Sequence, residues 1–253
     1  MPKAEPIPTP TSRNPRLIVT LGRQRTGKTL LAQWYAETSP RDLPLRILDA
    51  DQGEQVLSDR MPNAEASPRA DDDRRNWLEA EIEKQMTAAA SDKPYDVLLD
   101  PGGNDPQVKR WGAEMGLVDM LQSGGIDVIA IHLLGPDVAD LNYMKEIETG
   151  NLFCPKKTIV ILNKALVSPG QSPRIAFAEV ADSDTVKGVE ARGGRVVTME
   201  ALTDMPTLEK RRLKFMDVIE GKAKVQPFTV ARTRHWLNGP MAALRGELAD
   251  WIG

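Results

Sequence analysis

The sequence predicts an α/β protein built as a three-layer, doubly wound, mostly parallel sheet. Three observations lead there. Short apolar runs recur along the chain, and each is continuous rather than alternating, as expected for strands covered by helices on both faces. Segments with apolar residues at helical spacing separate the runs, so the order reads βαβαβα. The first run ends in a glycine-bounded loop that opens straight into such a segment.

Taken in order, residues 16–21 (RLIVTL) are the first strand, followed by GRQRTGKT at 22–29. Leu30, Leu31, Trp34 and Tyr35 then mark a helix ending near Ser39 and Pro40. Residues 43–49 (LPLRILD) are a second strand, with Ala50, Asp51, Gln52 and Gly53 after it. The Pro-, Ser- and Asp-rich stretch 61–73 reads as a loop, and Trp77, Leu78, Ile82 and Met86 place a helix through Ala90. The third strand, 95–100 (YDVLLD), stops at Pro101, Gly102 and Gly103, a sharp turn where glycine lets backbone approach closely. A helix over 106–122 leads to the fourth strand at 126–134. Gly135 and Pro136 end that strand, and Asp137 caps a helix running through Ile147. The fifth strand, 157–162 (KTIVIL), runs into Asn163 and Lys164. Past Pro169 the pattern predicts a helix over 182–192, a sixth strand over 195–199 and helices over 207–220 and 233–252.

Composition sets the outer limits. The 253 residues are 41% hydrophobic and 27% charged, enough for a substantial core. Residues 15–253 are expected to form a single α/β domain. Residues 1–14, with their prolines and no apolar periodicity, read as a flexible arm without the apolar stretch of a signal peptide. No run reaches the roughly 18 apolar residues of a membrane helix, so a soluble, cytoplasmic protein is expected. One cysteine, Cys154, excludes an internal disulfide, and two distant histidines, His132 and His235, argue against zinc. Both Cys154 and His132 are expected to be structural rather than reactive. A net charge of −3 exerts no global pull on nucleic acid.

The chemistry-bearing residues gather at predicted strand ends, where ligands of open α/β sheets bind. A G-x-x-x-x-G-K-T loop entering a helix points several backbone N–H groups at one place, where they and the helix dipole hold phosphate. Gly22, Arg23, Gln24, Arg25, Thr26, Gly27, Lys28 and Thr29 are that loop, continuing into Leu30. Lys28 would reach the terminal phosphates and Thr29 would offer its hydroxyl to Mg²⁺. Asp100 ends an apolar strand where a second Mg²⁺-holding group belongs. Asp51 is placed to position water or meet the metal, with Asp49 as its neighbour, and Gly102 and Gly103 free an N–H for the γ-phosphate. The expected cofactors are therefore a nucleoside triphosphate and Mg²⁺.

Strand, loop and helix, together with LRILDADQG, YDVLLDPGG and IVILNK, resemble the ParA/MinD/Mrp branch of P-loop ATPases over about residues 16–164. The resemblance implies a P-loop NTPase fold and slow ATP hydrolysis. It further implies a nucleotide-dependent homodimer that positions DNA or a protein cargo or adaptor, in partition, division or conjugation. It carries Lys28 over as the triphosphate lysine, Thr29 and Asp100 as the Mg²⁺ shell, Asp51 as the aspartate near the attacking water, and Asn163, with Lys164, as the base-contacting element. The family loop reads K-G-G-x-G-K-[ST], whereas here Arg23 stands at the first lysine and Gln24 and Arg25 replace two glycines. Arginine can neutralise phosphate without copying lysine geometry. Asn163 and Lys164 also resemble the guanine-reading element of GTPases, but Leu166 occupies the carboxylate position, which favours ATP. Two other readings share the scaffold: a small-molecule ligase or kinase resembling dethiobiotin synthetase, and a nucleotide-binding scaffold with negligible turnover. The basic stretch at 209–214 reads as a solvated helix face, with phosphate contact to DNA as the alternative.

Overall fold

Seven strands pair side by side, all in parallel, in a computed structural model that describes residues 13–252. They are β1 (Arg16–Leu21), β2 (Leu45–Asp49), β3 (Ala64–Ala66), β4 (Asp96–Asp100), β5 (Asp127–Leu134), β6 (Lys157–Asn163) and β7 (Arg195–Met199), in the order β3-β2-β4-β1-β5-β6-β7. The strand leading into the glycine loop thus lies at the centre, between the strands ending at Asp100 and Leu134. Most of the expected arm, residues 1–12, falls outside the described residues. At its end Arg13 forks onto Asp96 at 2.9 and 2.8 Å.

Helices cover both faces, which is why the strands read as unbroken apolar runs. Within β1 the two-residue period sends Ile18 to one face and Leu17, Val19 and Leu21 to the other. The first face packs under α1 (Lys28–Thr38), whose Trp34 is fully buried. The second packs under α3 (Asp71–Ala89), α4 (Pro106–Met115), α5 (Leu117–Ser123) and α6 (Leu141–Thr149), around Leu78, Trp111 and Tyr143. Between β2 and β3 runs a one-turn helix, α2 (Val56–Arg60).

The C-terminal third is more broken than the periodicity predicted. Short helices α7 (Pro173–Ala176) and α8 (Ala178–Ala181) lead to α9 (Asp184–Ala191), which packs with α6 around Met144, Val180 and Val186. The helix expected over 207–220 is two: α10 (Met205–Lys210) and α11 (Phe215–Ile219). Arg212 between them adopts φ 52° and ion-pairs with Asp59 at 2.7 Å. The Glu37 carboxylate then accepts from the Met216 N–H at 2.8 Å, tying α11 to α1. The last expected helix begins earlier and is three segments: α12 (Pro227–Asn238), α13 (Pro240–Glu247) and α14 (Ala249–Ile252), interrupted where Pro240 cannot donate. Its Trp236 stacks at a tilt on Phe215, centroids 5.4 Å apart.

Two further expectations are corrected. The stretch 61–73 is not wholly loop, because it contains edge strand β3, too short to show a period, and the start of α3. Asp71, Asp72 and Asp73 occupy the first turn of α3, where carboxylates favour the helix dipole. The helix expected over 106–122 breaks at Gly116, φ 58°. Just before the break, a Cβ on Gly112 would lie 1.6 Å from the Leu152 carbonyl oxygen, so that glycine permits a close backbone approach. Among the described residues no helix is long and apolar enough to cross a membrane.

His132 lies fully buried in β5, and no described residue hydrogen-bonds either ring nitrogen. Burial, helped by the positive charge of Arg192, pushes it down to about 3 from an ordinary 6.5. The unfolded chain takes up a proton below pH 6.5 that the folded chain refuses, so stability should fall as pH drops from about 6.5 toward 3. Urea unfolding at pH 7 and pH 5 should differ by about 2 kcal/mol, and His132→Leu should remove that difference. An equal pH dependence in the variant would refute the assignment.

Candidate functional site

The loop between β1 and α1 turns sharply at both ends, and glycine is required at each. Gly22 has φ 139°, and a Cβ there would sit 2.6 Å from the Leu133 carbonyl oxygen on β5. Gly27 has φ 101°, and its Cβ would strike the Asn163 amide nitrogen at 2.6 Å. Between them Arg25 also adopts a positive φ, 63°, unusual for a side chain of its size. Gln24 and Arg25 are exposed, and Leu30 is half-buried against the α1 core. Thr26 folds its hydroxyl back onto the Arg23 carbonyl at 2.9 Å.

Lys28, the first residue of α1, is buried to 5% exposure, and its ammonium donates to the Arg23 carbonyl at 2.7 Å. Burial lowers its affinity for a proton, while Asp100 and Asp51 oppose that shift. The next residue, Thr29, donates its hydroxyl to the Asp100 carboxylate at 2.7 Å, and Thr20 donates to the other oxygen at 2.9 Å. Asp100 is fully buried; burial raises it above the usual carboxylate range, opposed chiefly by Lys28 and then by the two hydroxyls. A threonine hydroxyl and a carboxylate therefore meet within electrostatic reach of the lysine.

The turn after β4 lies against the loop. A Cβ on Gly103 would fall 2.6 Å from the Gln24 backbone nitrogen, and Asn104 N–H donates to the Gly22 carbonyl at 3.1 Å. Gly102, φ 90°, leaves space for Asp51, whose carboxyl carbon a Cβ would meet at 2.9 Å. Asp51 accepts from Gly53 N–H at 2.7 Å and sits beside Gly102. Asp49 is a different case. It is buried, accepts from Ser58 N–H at 2.8 Å near the start of α2, and is pushed up to about 6, chiefly by burial. Asp49 thus holds the fold, and Asp51 is the member of the pair nearer the loop.

Three further expected site residues have partners within the chain. Asn163, 2% exposed, donates its amide to the Thr26 carbonyl at 2.9 Å and accepts from Ala165 N–H at 3.0 Å, so it braces the loop from β6. Lys164 ion-pairs with Glu200 after β7. Arg23 turns its guanidinium to Asp140, 2.9 Å away, which also accepts from Gly135 N–H. Arg25 lies at the exposed loop tip. Thr20 and Asp140 escaped the sequence reading. A lone hydroxyl within the apolar run RLIVTL was a signal for Thr20, whereas nothing local marks Asp140.

The residues present fit Mg²⁺ and a nucleoside triphosphate. Mg²⁺ in such sites takes few protein ligands beside phosphate and water, and a hydroxyl with a carboxylate is that donor type. No cluster of three His, Cys, Asp or Glu able to hold a metal occurs among the described residues. Cys154, whose thiol burial pushes up to about 11, is not among the site residues.

No protein-family model and no curated protein matches the chain. Among solved structures, it is similar to the signal recognition particle 54 kDa protein of Aeropyrum pernix K1 in complex with GDP, at 14% identity and TM-score 0.42. That match covers 93% of this chain but spans only 62% of the other's length. It is also similar to Cyanothece McdA in complex with ATP, at 12% identity and TM-score 0.45, covering 90% of this chain and 96% of that one.

Thr20→Val keeps the shape of the side chain but leaves one oxygen of Asp100 buried without its donor. It should cost about 1–3 kcal/mol in urea unfolding, with Thr20→Ser restoring most of it. Equal stability of the wild type and the valine variant would show that the hydroxyl does not hold the carboxylate.

Proposed function

We propose that the chain is a Mg²⁺·ATP-dependent phosphohydrolase of the ParA/MinD type. Residues 15–253 act as one nucleotide-binding domain in the cytoplasm, and nucleotide state controls association with a second copy and with DNA or a protein cargo. The observation that carries the ATP·Mg²⁺ reading is the Thr29 hydroxyl joined to the Asp100 carboxylate, which interacts electrostatically with Lys28, at a helix N-terminus. The dimer and cargo part rests on the sequence resemblance.

In this reading the N–H groups of residues 22–29 and the positive end of α1 bind the phosphates. Lys28 exchanges the Arg23 carbonyl for the terminal phosphates. Thr29 and Asp100 would hold Mg²⁺, which would supply neutralisation of the phosphate charge. Asp51, beside Gly102, orients the attacking water, and Gly102 and Gly103 admit backbone close to the γ-phosphate. Asn163 keeps the loop in register from β6 and borders the base. Arg23 stands where the related family has its signature lysine, and it contacts phosphate by leaving Asp140, in its own subunit or across a dimer.

Lys28→Ala should weaken ATP binding at least tenfold and abolish phosphate release. Unchanged affinity by calorimetry would sink the loop assignment. Light scattering on a sizing column should detect a dimer with ATP and Mg²⁺ and a monomer with ADP, and DNA retention should follow the same pattern. A monomer that ignores DNA in both states would leave ATP binding standing and remove the switch.

A further inference from the structure

Beside the phosphate loop lies a second feature, a cleft of about 320 Å³ lined by Arg23, Asn104, Lys109, Asn142, Tyr143 and Glu146. Its position follows from the loop itself. The Lys28 ammonium bonds the Arg23 carbonyl, and Asn104 N–H bonds the Gly22 carbonyl, so two lining residues flank the loop end nearest that ammonium. The volume is at the small end of small-molecule sites.

The lining defines the chemistry. Tyr143 is fixed as a wall, because its hydroxyl donates to the Asp105 carbonyl at 2.8 Å and Lys109 lies over its ring at 5.2 Å. Asn104 and Asn142 bring side-chain amides. The two cations, Arg23 and Lys109, are paired with Asp140 at 2.9 Å and Glu146 at 2.6 Å, and both remain partly exposed. The Lys109–Glu146 pair is solvent-exposed and contributes little, so a ligand anion can replace Glu146 at small cost, while buried Asp140 keeps its bond from Gly135 N–H when Arg23 turns to a ligand. Arginine suits a carboxylate or phosphate in particular, because its fork donates two parallel bonds.

We propose that this cleft binds a small polar metabolite bearing a carboxylate or phosphate group, held by Arg23 and Lys109 with amide contacts from Asn104 and Asn142. Occupancy is sensed at the terminal phosphate of ATP through Arg23, which cannot serve the metabolite, Asp140 and the nucleotide at once. The sensing step rests on the ATP reading above; the binding step does not.

Glycerol 3-phosphate and L-glutamate are suitable probes, one supplying phosphate and the other carboxylates. Each is titrated calorimetrically into protein saturated with ADP and Mg²⁺, so that the phosphate loop is already filled, and into protein without nucleotide. At least one probe should bind, at least tenfold more weakly to both Lys109→Ala and Asn142→Leu, and it should change the wild-type ATP hydrolysis rate at least twofold. The probe that binds identifies phosphate or carboxylate as the recognised group. Circular dichroism melts check that both variants fold. No binding of either probe, or undiminished binding in both variants, overturns the site. Binding with an unchanged hydrolysis rate overturns the sensing step alone. Failure of the wild type to bind ATP at all condemns the phosphate-loop reading instead, while probe binding without nucleotide still decides the cleft.

Discussion

The buried carboxylate of Asp100 is the constraint on which this structure turns. A charge or a protonated acid at that depth is costly unless it is hydrogen-bonded, and Thr20 and Thr29 each donate to one of its oxygens. Those two threonines lie on β1 and α1, at opposite ends of the glycine loop, while Asp100 ends the neighbouring strand. One side chain therefore holds the strand, the loop and the helix in a fixed relation. Its backbone carbonyl also accepts from Ala50 N–H at 2.9 Å, extending the tie to the end of β2.

From that point the rest follows in layers. Because β1 is central and flanked by β4 and β5, the loop is enclosed by the turn after β4 on one side and by the end of β5 on the other. Gly103 beside Gln24 and Gly22 beside Leu133 are where that enclosure is tightest, and both positions lack room for a side chain. Asn163 closes the third side from β6 by holding the Thr26 carbonyl. The loop carries Arg23, Gln24 and Arg25 on a backbone that is braced from outside. Arg25 takes the left-handed conformation regardless.

Much of this was legible beforehand, for physical reasons that differ by region. Five strands buried on both faces have no polar alternation to confuse the reading, so β1, β2, β4, β5 and β6 fall within two residues of expectation. Edge strand β3 has three residues and no recognisable period. The helical breaks at Gly116, at Arg212 and at Gly239–Pro240 were invisible because apolar spacing continues across them, and only close packing fixes where the chain turns. Glycine and proline mark two of those sites, but each also occurs in uninterrupted helices. At the site, Lys28, Thr29, Asp100 and Asp51 could be named from a motif and from strand ends, whereas Asp140 lies in a segment with no chemical signature.

The sequence by itself determined the layered parallel architecture and a glycine-bounded loop between the first strand and the first helix, because both are encoded locally, in apolar runs and in the spacing of Gly22, Gly27, Lys28 and Thr29. Only the tertiary structure decided which groups those residues meet. It separated Asp49, spent on capping α2, from Asp51 beside the loop; it turned Asn163 onto the loop backbone; and it paired Arg23 with Asp140. Each of these depends on contacts between residues far apart in the chain, and such contacts have no local pattern to read.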